Sequence, residues 1–401
     1  MWEQIRSNQI RSAVLAIGMG ILLLLVGYFL GLYFFDSGMG GLIIALIVWA
    51  VMNLVAFFQG DNILLGLSGA RKIGRDDHPR LYNVVEEMKI ASGLEKVPDI
   101  YIIDDPALNA FATGRYPNRA AVAITSGLLQ KLNRDELQGV IGHEVAHTKN
   151  RDVLLMAISS VLLGTIVILA WYASRILLFG GATRTRRSSS SSGGSGQLLI
   201  LVVAIVLMIL APIMAQLIYF AISRKREYLA DASSALYTRY PEGLASALEK
   251  LAASTEQLKS ANKATAPMYI INPFHRNGMP ASDLTSTHPP ISERIRILRS
   301  MAGASYLDYE QAYRQVRNTG KKLVPAAAIS DTGAVSLRAA RPETIEEEPD
   351  KVQMARDTSD LLWNLNNYKT ITCDCGTKLR VPPKFRESEI RCPHCGRINK
   401  I

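Results

Sequence analysis

Four stretches of this chain carry no charged side chain: residues 13–35, 37–60, 153–174 and 197–223. Each is long enough to cross a hydrocarbon core, which takes roughly 20 helical residues. Backbone groups in lipid must be satisfied within their own segment, so these stretches read as helices. Only Asp36 separates the first two, which therefore form a tight hairpin. The last two form a second hairpin, whose connection 184–196 holds Arg184, Arg186, Arg187, a run of five serines, and glycines, and reads as a solvated loop. The first apolar run exceeds that of a signal peptide and no small-residue cleavage site follows, so it reads as a retained anchor.

Basic residues flank these spans and set the expected orientation, because cytoplasmic segments retain Lys and Arg. Arg6 and Arg11 precede the first span, Arg71, Lys72 and Arg75 follow the second, Lys149 and Arg151 precede the third, and Arg224, Lys225 and Arg226 follow the fourth. All of these places, and both termini, are expected on the cytoplasmic side of the cell membrane. The arginines at 184–187 run against that assignment, unless the second hairpin does not cross fully. The formal charge of +10 points to the lipid bilayer and not to nucleic acid, since the cations crowd the ends of apolar runs.

Between 68 and 150 the pattern is mixed α/β. Residues 78–90 look helical, 99–103 and 120–125 look like short strands, and Asn133 starts a helix with Glu136 placed to complete a capping box. Residues 224–258 read as one long helix, 261–280 as loop, 292–301 as a short basic helix, and 325–349, rich in Ala and Pro, as linker. No internal repeat is present.

His143-Glu144-Val145-Ala146-His147 places two imidazoles on one helix face at the spacing that grips one zinc ion, with a carboxylate beside them to take a proton from attacking water. Catalytic zinc needs a third protein donor. Glu227 suits, sharing a helix face with Asp231, although a surface carboxylate paired with a neighbouring base has the same spacing. His147 lies just before the third span and Glu227 just after the fourth, so two crossings return both to one membrane face. A single crossing would put about 30 Å of hydrocarbon between them.

With these motifs in place, the chain resembles the HtpX family of membrane metallopeptidases, relatives of the CAAX prenyl endopeptidases. The resemblance runs over about 1–300, on Asn109-Ala110-Phe111-Ala112-Thr113-Gly114, the 143–147 motif, 227–231 and Ser286-Thr287-His288-Pro289-Pro290. It implies a gluzincin-like catalytic domain with Glu227 as third ligand and Asp231 behind the ligands. It also implies an edge strand around Asn109, Ala110, Phe111 and Ala112 that pairs with extended substrate, and His288 as a donor to the oxyanion, for which the residues alone also allow a turn histidine before Pro289 and Pro290. Arg294 is expected to pair with Asp231 or to lie on the surface. His78 and His275 read as loop or cap residues.

Cys373, Cys375, Cys392 and Cys395 form two knuckles able to enclose one structural zinc, with a redox dithiol as the minority reading, and a reducing compartment is expected for them. The expected fold is a mainly α membrane protein with a small β-sheet: four transmembrane helices, a gluzincin-like zincin domain and a C-terminal zinc ribbon. The expected domains are 1–60 as the first hairpin, 61–320 as the peptidase including the hairpin 153–223, 321–365 as linker and 366–401 as ribbon. The expected activity is zinc-dependent endoproteolysis of membrane-associated or misfolded proteins, with one catalytic and one structural zinc. The partner of the ribbon is left open. An inactive membrane scaffold is the alternative, and zinc storage or transport is disfavoured because the spans hold no His, Asp or Glu.

Overall fold

The computed structural model describes residues 2–114, 116–153, 194–261, 266–271, 288–339 and 350–401, together with 166, 171, 175 and 273. The third expected span lies almost wholly outside these residues, as do His275, Ser286 and Thr287.

Helices α1 (Trp2–Phe35) and α2 (Gly38–Leu67) form the first hairpin. Asp36 takes a left-handed φ of 50° at the turn, and Ser37 caps α2 by accepting from the Gly40 amide. The two helices cross at glycines: a Cβ on Gly41 would stand 2.1 Å from the Gly27 carbonyl oxygen and 2.7 Å from the Gly31 Cα. Small residues at such a crossing let backbones approach closely, as between helices in lipid. Within α2, Gly38–Val55 is long and apolar enough to cross a membrane, with a mean hydropathy of 2.2, and Ile17–Leu32 of α1 is a shorter apolar run. Ile43, Ile44, Ile47, Val51 and Leu54 on α2 are exposed, an apolar surface that water does not favour.

A four-stranded sheet follows: β1 (Arg71–Ile73), β2 (Asp99–Ile103), β3 (Ala110–Thr113) and β4 (Ala121–Thr125) in the order β1-β2-β4-β3. Strands β2 and β4 run parallel, and both outer strands pair antiparallel. The two-residue period divides the side chains cleanly. Ala110, Ala112, Val122 and Ile124 face a core shared with helices α3 (Pro79–Ser92) and α5 (Arg134–Lys149). Phe111, Ala121 and Ala123 face Leu64 and Leu65 at the end of α2. With both faces covered, β3 and β4 are buried along their whole length. His78 caps α3 by accepting from the Leu81 amide, and the expected Asn133–Glu136 capping box opens α5. Short α4 (Ser126–Lys131) connects β4 to α5.

Helix α6 (Gly194–Thr238) has 45 residues, about 68 Å at 1.5 Å each. That is enough to span a bilayer and still enter the soluble core. The single helix expected over 224–258 is broken: Arg239 takes a left-handed φ of 55°, and Pro241, which has no amide to donate, opens α7 (Pro241–Ala253). Helices α8 (Ile291–Arg299) and α9 (Tyr306–Arg317) complete the core around α6.

The stretch 321–365, expected as linker, is packed over its described residues. Glu310 of α9 accepts from the amides of Leu323 and Val324, which are buried. Pro325 then precedes α10 (Ala326–Thr332), whose three leading alanines are strong helix formers that composition alone had assigned to a tether. Arg338 reaches Asp135, Gln138 and the Thr238 carbonyl, tying the start of α5 to the end of α6. Helix α11 (Lys351–Leu365) buries Met354, Thr358 and Leu361 against the body of the protein. Hairpins β5–β6 (Lys369–Thr372, Lys378–Val381) and β7–β8 (Glu389–Arg391, Ile398–Lys400) close the chain.

Candidate metal centres

Helices α5 and α6 bring their polar residues together because glycine and serine line the contact. Ser234 donates to the Gly139 carbonyl at 2.7 Å, and a Cβ on Gly142 would stand 3.0 Å from Ser234 Oγ. Facing each other across this contact are His143 and His147 from α5 and Glu227 and Asp231 from α6.

His143 Nε2 lies 3.2 Å from His147 Nε2 and 3.4 Å from Glu227 Oε2, and His147 Nε2 lies 3.5 Å from Glu227 Oε1. Donors held about 2.0–2.1 Å from a tetrahedral zinc stand about 3.3–3.4 Å apart, so the three edges match such an ion. The donor set, two imidazoles and a carboxylate, is one that catalytic zinc takes. Glu227 Oε2 has no hydrogen-bond partner although it is buried, as expected of an atom whose partner is a cation.

Each imidazole is held from behind. His143 Nδ1 lies 2.9 Å from Asp231 Oδ1, and Arg294 grips Asp231 with two hydrogen bonds of 2.8 and 2.7 Å. His147 Nδ1 lies 3.2 Å from Asp152 Oδ2. Asp152 is absent from the sequence expectations, and no helical spacing points to it. It follows the end of α5, where Arg151 takes a left-handed φ of 58° and turns the chain back. Arg294 is fully buried, so of the two expectations for it the pairing with Asp231 holds.

Charges in this enclosure shift one another. Burial alone would lower His143, but the Asp231 carboxylate, which accepts from its ring, and the Glu227 carboxylate beside it outweigh burial and lift the group to about 9. Burial would raise Glu227, yet His288, His147 and His143 hold it well below the usual carboxylate range. Burial likewise opposes Arg294 at Asp231, and Arg294 prevails, keeping that carboxylate ionised. Burial pushes Glu144 up, and prevails over His143, His147 and the Ala112 main chain, which act to lower it; neither of its oxygens makes a close hydrogen bond. His288 Nε2 is 3.8 Å from Glu227 Oε2, and burial lowers it to about 4, which leaves a neutral ring.

Strand β3 is the sheet edge on the side of α5. Asn109 pairs with Thr125 through the Thr125 amide at 3.0 Å. Antiparallel alternation therefore turns the main-chain groups of Ala110 and Ala112 outward. The Ala110 carbonyl already accepts from the Ile270 amide at 2.9 Å, and the Ile270 carbonyl accepts from Arg294 at 3.1 Å. Asn109 adds a side-chain bond of 3.0 Å to the Ile271 carbonyl. The chain's own residues 270–271 thus line the edge beside Ala110, and Ala110, Phe111 and Ala112 are all buried.

The second cluster belongs to the C-terminal hairpins. Cys373 and Cys375 sit in the β5–β6 turn and Cys392 and Cys395 in the β7–β8 turn, closed by Gly376 and Gly396 at positive φ. Sγ atoms of Cys373 and Cys395 are 3.5 Å apart, and those of Cys375 and Cys392 are 3.7 Å apart. Four sulfurs about 2.3 Å from one zinc stand about 3.8 Å apart, so this cluster also fits the ion. The single residue between Cys373 and Cys375 is accommodated because the Gly376 amide turns back to the Cys373 carbonyl at 2.8 Å. His394 is outside the cluster.

Comparison with known proteins bears on the first cluster. The family model described as Peptidase family M48 matches residues 76–302. A "Protease HtpX homolog" of Dictyoglomus turgidum is 45% identical over 300 residues, covering 75% of this chain and 94% of its own length. Another of the same description from Streptococcus pneumoniae is 44% identical over 301 residues, covering 75% of this chain and 100% of its own. Among solved structures, the crystal structure of S. mikatae Ste24p aligns with a TM-score of 0.38 at 19% identity, over 74% of this chain and 66% of that one. The four cysteines lie beyond the stretch that the family model matches.

Proposed function

The chain belongs to peptidase family M48, among the HtpX-type proteases, and from that premise we propose that it is an integral membrane zinc endopeptidase of HExxH gluzincin type. Its substrates are membrane-associated or misfolded proteins, cleaved at the cytoplasmic face of the cell membrane. Residues 1–60 form one transmembrane hairpin, 153–223 a second, and 61–320 the peptidase domain that contains it. The observation that carries the reading is the 3.2–3.5 Å triangle of His143, His147 and Glu227 donors beside a carboxylate with no partner of its own.

Zinc, when bound by those three residues, supplies the Lewis acidity that makes a water nucleophilic near neutral pH. Glu144 accepts the proton of the attacking water at a carboxylate oxygen and returns it to the leaving nitrogen. Its elevated pKa suits that double role, because a base must also act as an acid within one turnover. Neutral His288 donates from a ring N–H to the developing oxyanion. Asp231 and Asp152 hold the imidazoles in the tautomer that leaves Nε2 free for the metal. Along the stretch Asn109, Ala110, Phe111 and Ala112, it is the outward main-chain groups of Ala112, next to an Ala110 carbonyl already taken by Ile270, that pair with an extended peptide, a recognition mode that does not depend on side-chain sequence. The cysteine cluster holds a second, structural zinc, which a module of this size needs in order to fold. An inactive scaffold is disfavoured by Glu144, whose burial outweighs the stabilisation its neighbours give and is a cost with no structural return.

The test is to purify the protein metal-free in detergent, add zinc and follow digestion of an unfolded protein beside Glu144→Gln. The wild type should digest it, and the variant should bind as much zinc yet be slower by at least a hundredfold. Equal rates would remove Glu144 from the chemistry.

A further inference from the structure

The C-terminal ribbon is fixed to the body of the protein, and at a particular height. Asp360 of α11 pairs with Lys378 at 2.8 Å and also with Arg380, whose guanidinium lies 5.2 Å from the centre of the Trp363 ring. Helix α11 is itself seated by buried Met354 and Leu361. Where it ends, Arg71 donates to the Leu365 carbonyl at 3.0 Å and to Asn366 Oδ1 at 2.7 Å. Arg71 comes only four residues after Leu67, the last residue of α2.

The charge-free part of α2 ends at Gly60, so Leu67 stands about 10 Å farther along the helix. The ribbon therefore starts roughly 10–15 Å above the hydrocarbon, against a headgroup layer about 5–8 Å deep on each side. A 36-residue unit such as 366–401 has a radius of gyration of about 9 Å, so it is some 20 Å across and is large enough to close that gap.

Its surface is suited to the contact. Residues 366–401 include eight Lys or Arg and three Asp or Glu. Even with a zinc site of four thiolates counted as doubly negative, the exterior remains cationic. Lys384, Arg386, Arg391 and Lys400 are exposed, and among the described residues none of them makes an ion pair. Phe385 stands between two of these cations, and Ile398 lies opposite Arg391 across the β7–β8 hairpin at 60% exposure. Cations interleaved with exposed apolar side chains are the chemistry of an interfacial contact with anionic lipid.

We propose that the zinc ribbon is a membrane-surface module, anchored by Arg71 and α11 beside the exit of α2, that docks on the headgroups of anionic phospholipids. The proposal rests on α2 crossing a bilayer and not on the peptidase chemistry, and its test reads no proteolysis. The full chain carrying Glu144→Gln, to prevent self-digestion, is placed in nanodiscs of phosphatidylcholine alone or with a third phosphatidylglycerol. Amide exchange of 384–400 should be about tenfold slower in the anionic discs. The difference should vanish in 0.5 M NaCl, where screening is strong, and in K384E/R386E, whose zinc content should equal that of the parent. The salt arm needs no substitution, so a misfolded variant does not shield the idea. Equal exchange in both kinds of disc overturns the proposal. So does protection that appears in phosphatidylcholine discs only when single-stranded RNA is added, since the surface would then serve nucleic acid.

Discussion

Asp152 Oδ2 lies 3.2 Å from Nδ1 of His147, doing for that ring what Asp231 does for His143. Carboxylates behind metal-binding imidazoles fix ring orientation and raise basicity, and losing one typically costs 10–100-fold in metal affinity. Asp152→Asn should therefore weaken zinc binding by about that factor in competition with a chelator, with activity recovered at saturating zinc. Unchanged affinity would show that the contact only packs the end of α5.

Arg294 and Asp231 form a buried ion pair in which the acid also serves His143. Removing the cation leaves an uncompensated carboxylate in the core, which costs about 3–5 kcal/mol. Arg294→Met should lose that much stability to urea in detergent, measured with zinc chelated so that metal binding does not mask it. A loss under about 1 kcal/mol would mean that water reaches Asp231 after the change.

Zinc uptake should depend on pH in a defined sense. In the metal-free protein His143 titrates at about 9, because Asp231 and Glu227 stabilise its charged form against burial. The ion needs the neutral ring, so below pH 9 binding must expel a proton. Apparent affinity should rise about tenfold per pH unit from 7 to 9 and level off above, and calorimetry in buffers of different ionisation enthalpy should show proton release. Affinity that is flat from pH 7 to 9 would contradict the hydrogen bonding described at His143.

What the sequence made legible follows from the range of the forces involved. His143, Glu144 and His147 are readable because helix geometry alone places them, and Glu227 because it shares a helix face with Asp231 at i and i+4. Asp152 was not readable, since its position depends on a left-handed residue after α5. Nor was Ile270, whose amide meets the Ala110 carbonyl from 160 residues away in the chain. Composition speaks for a linker only over 325–349, and within 321–365 the helix α11 buries Met354, Thr358 and Leu361 at a helical spacing. Arg338, by contrast, clamps α5 to α6 through contacts that no local pattern announces.

The hairpin of α1 and α2 offers a test of packing that is independent of the metal. A methyl group on Gly41 would stand 2.1 Å from the Gly27 carbonyl oxygen, which is backbone and cannot swing aside, whereas one on Gly66 of the same helix would meet nothing within 4 Å. Alanine is the better helix former, by about 1 kcal/mol in a helix interior and by less at Gly66, next to last in α2, so propensity favours both changes and only the crossing opposes one of them. Gly41→Ala should force the helices apart and destabilise the protein by about 1–3 kcal/mol, while Gly66→Ala should be neutral or slightly stabilising. Thermal unfolding in detergent measures both. Equal shifts for the two variants would mean that α1 and α2 do not pack through Gly27, Gly31 and Gly41.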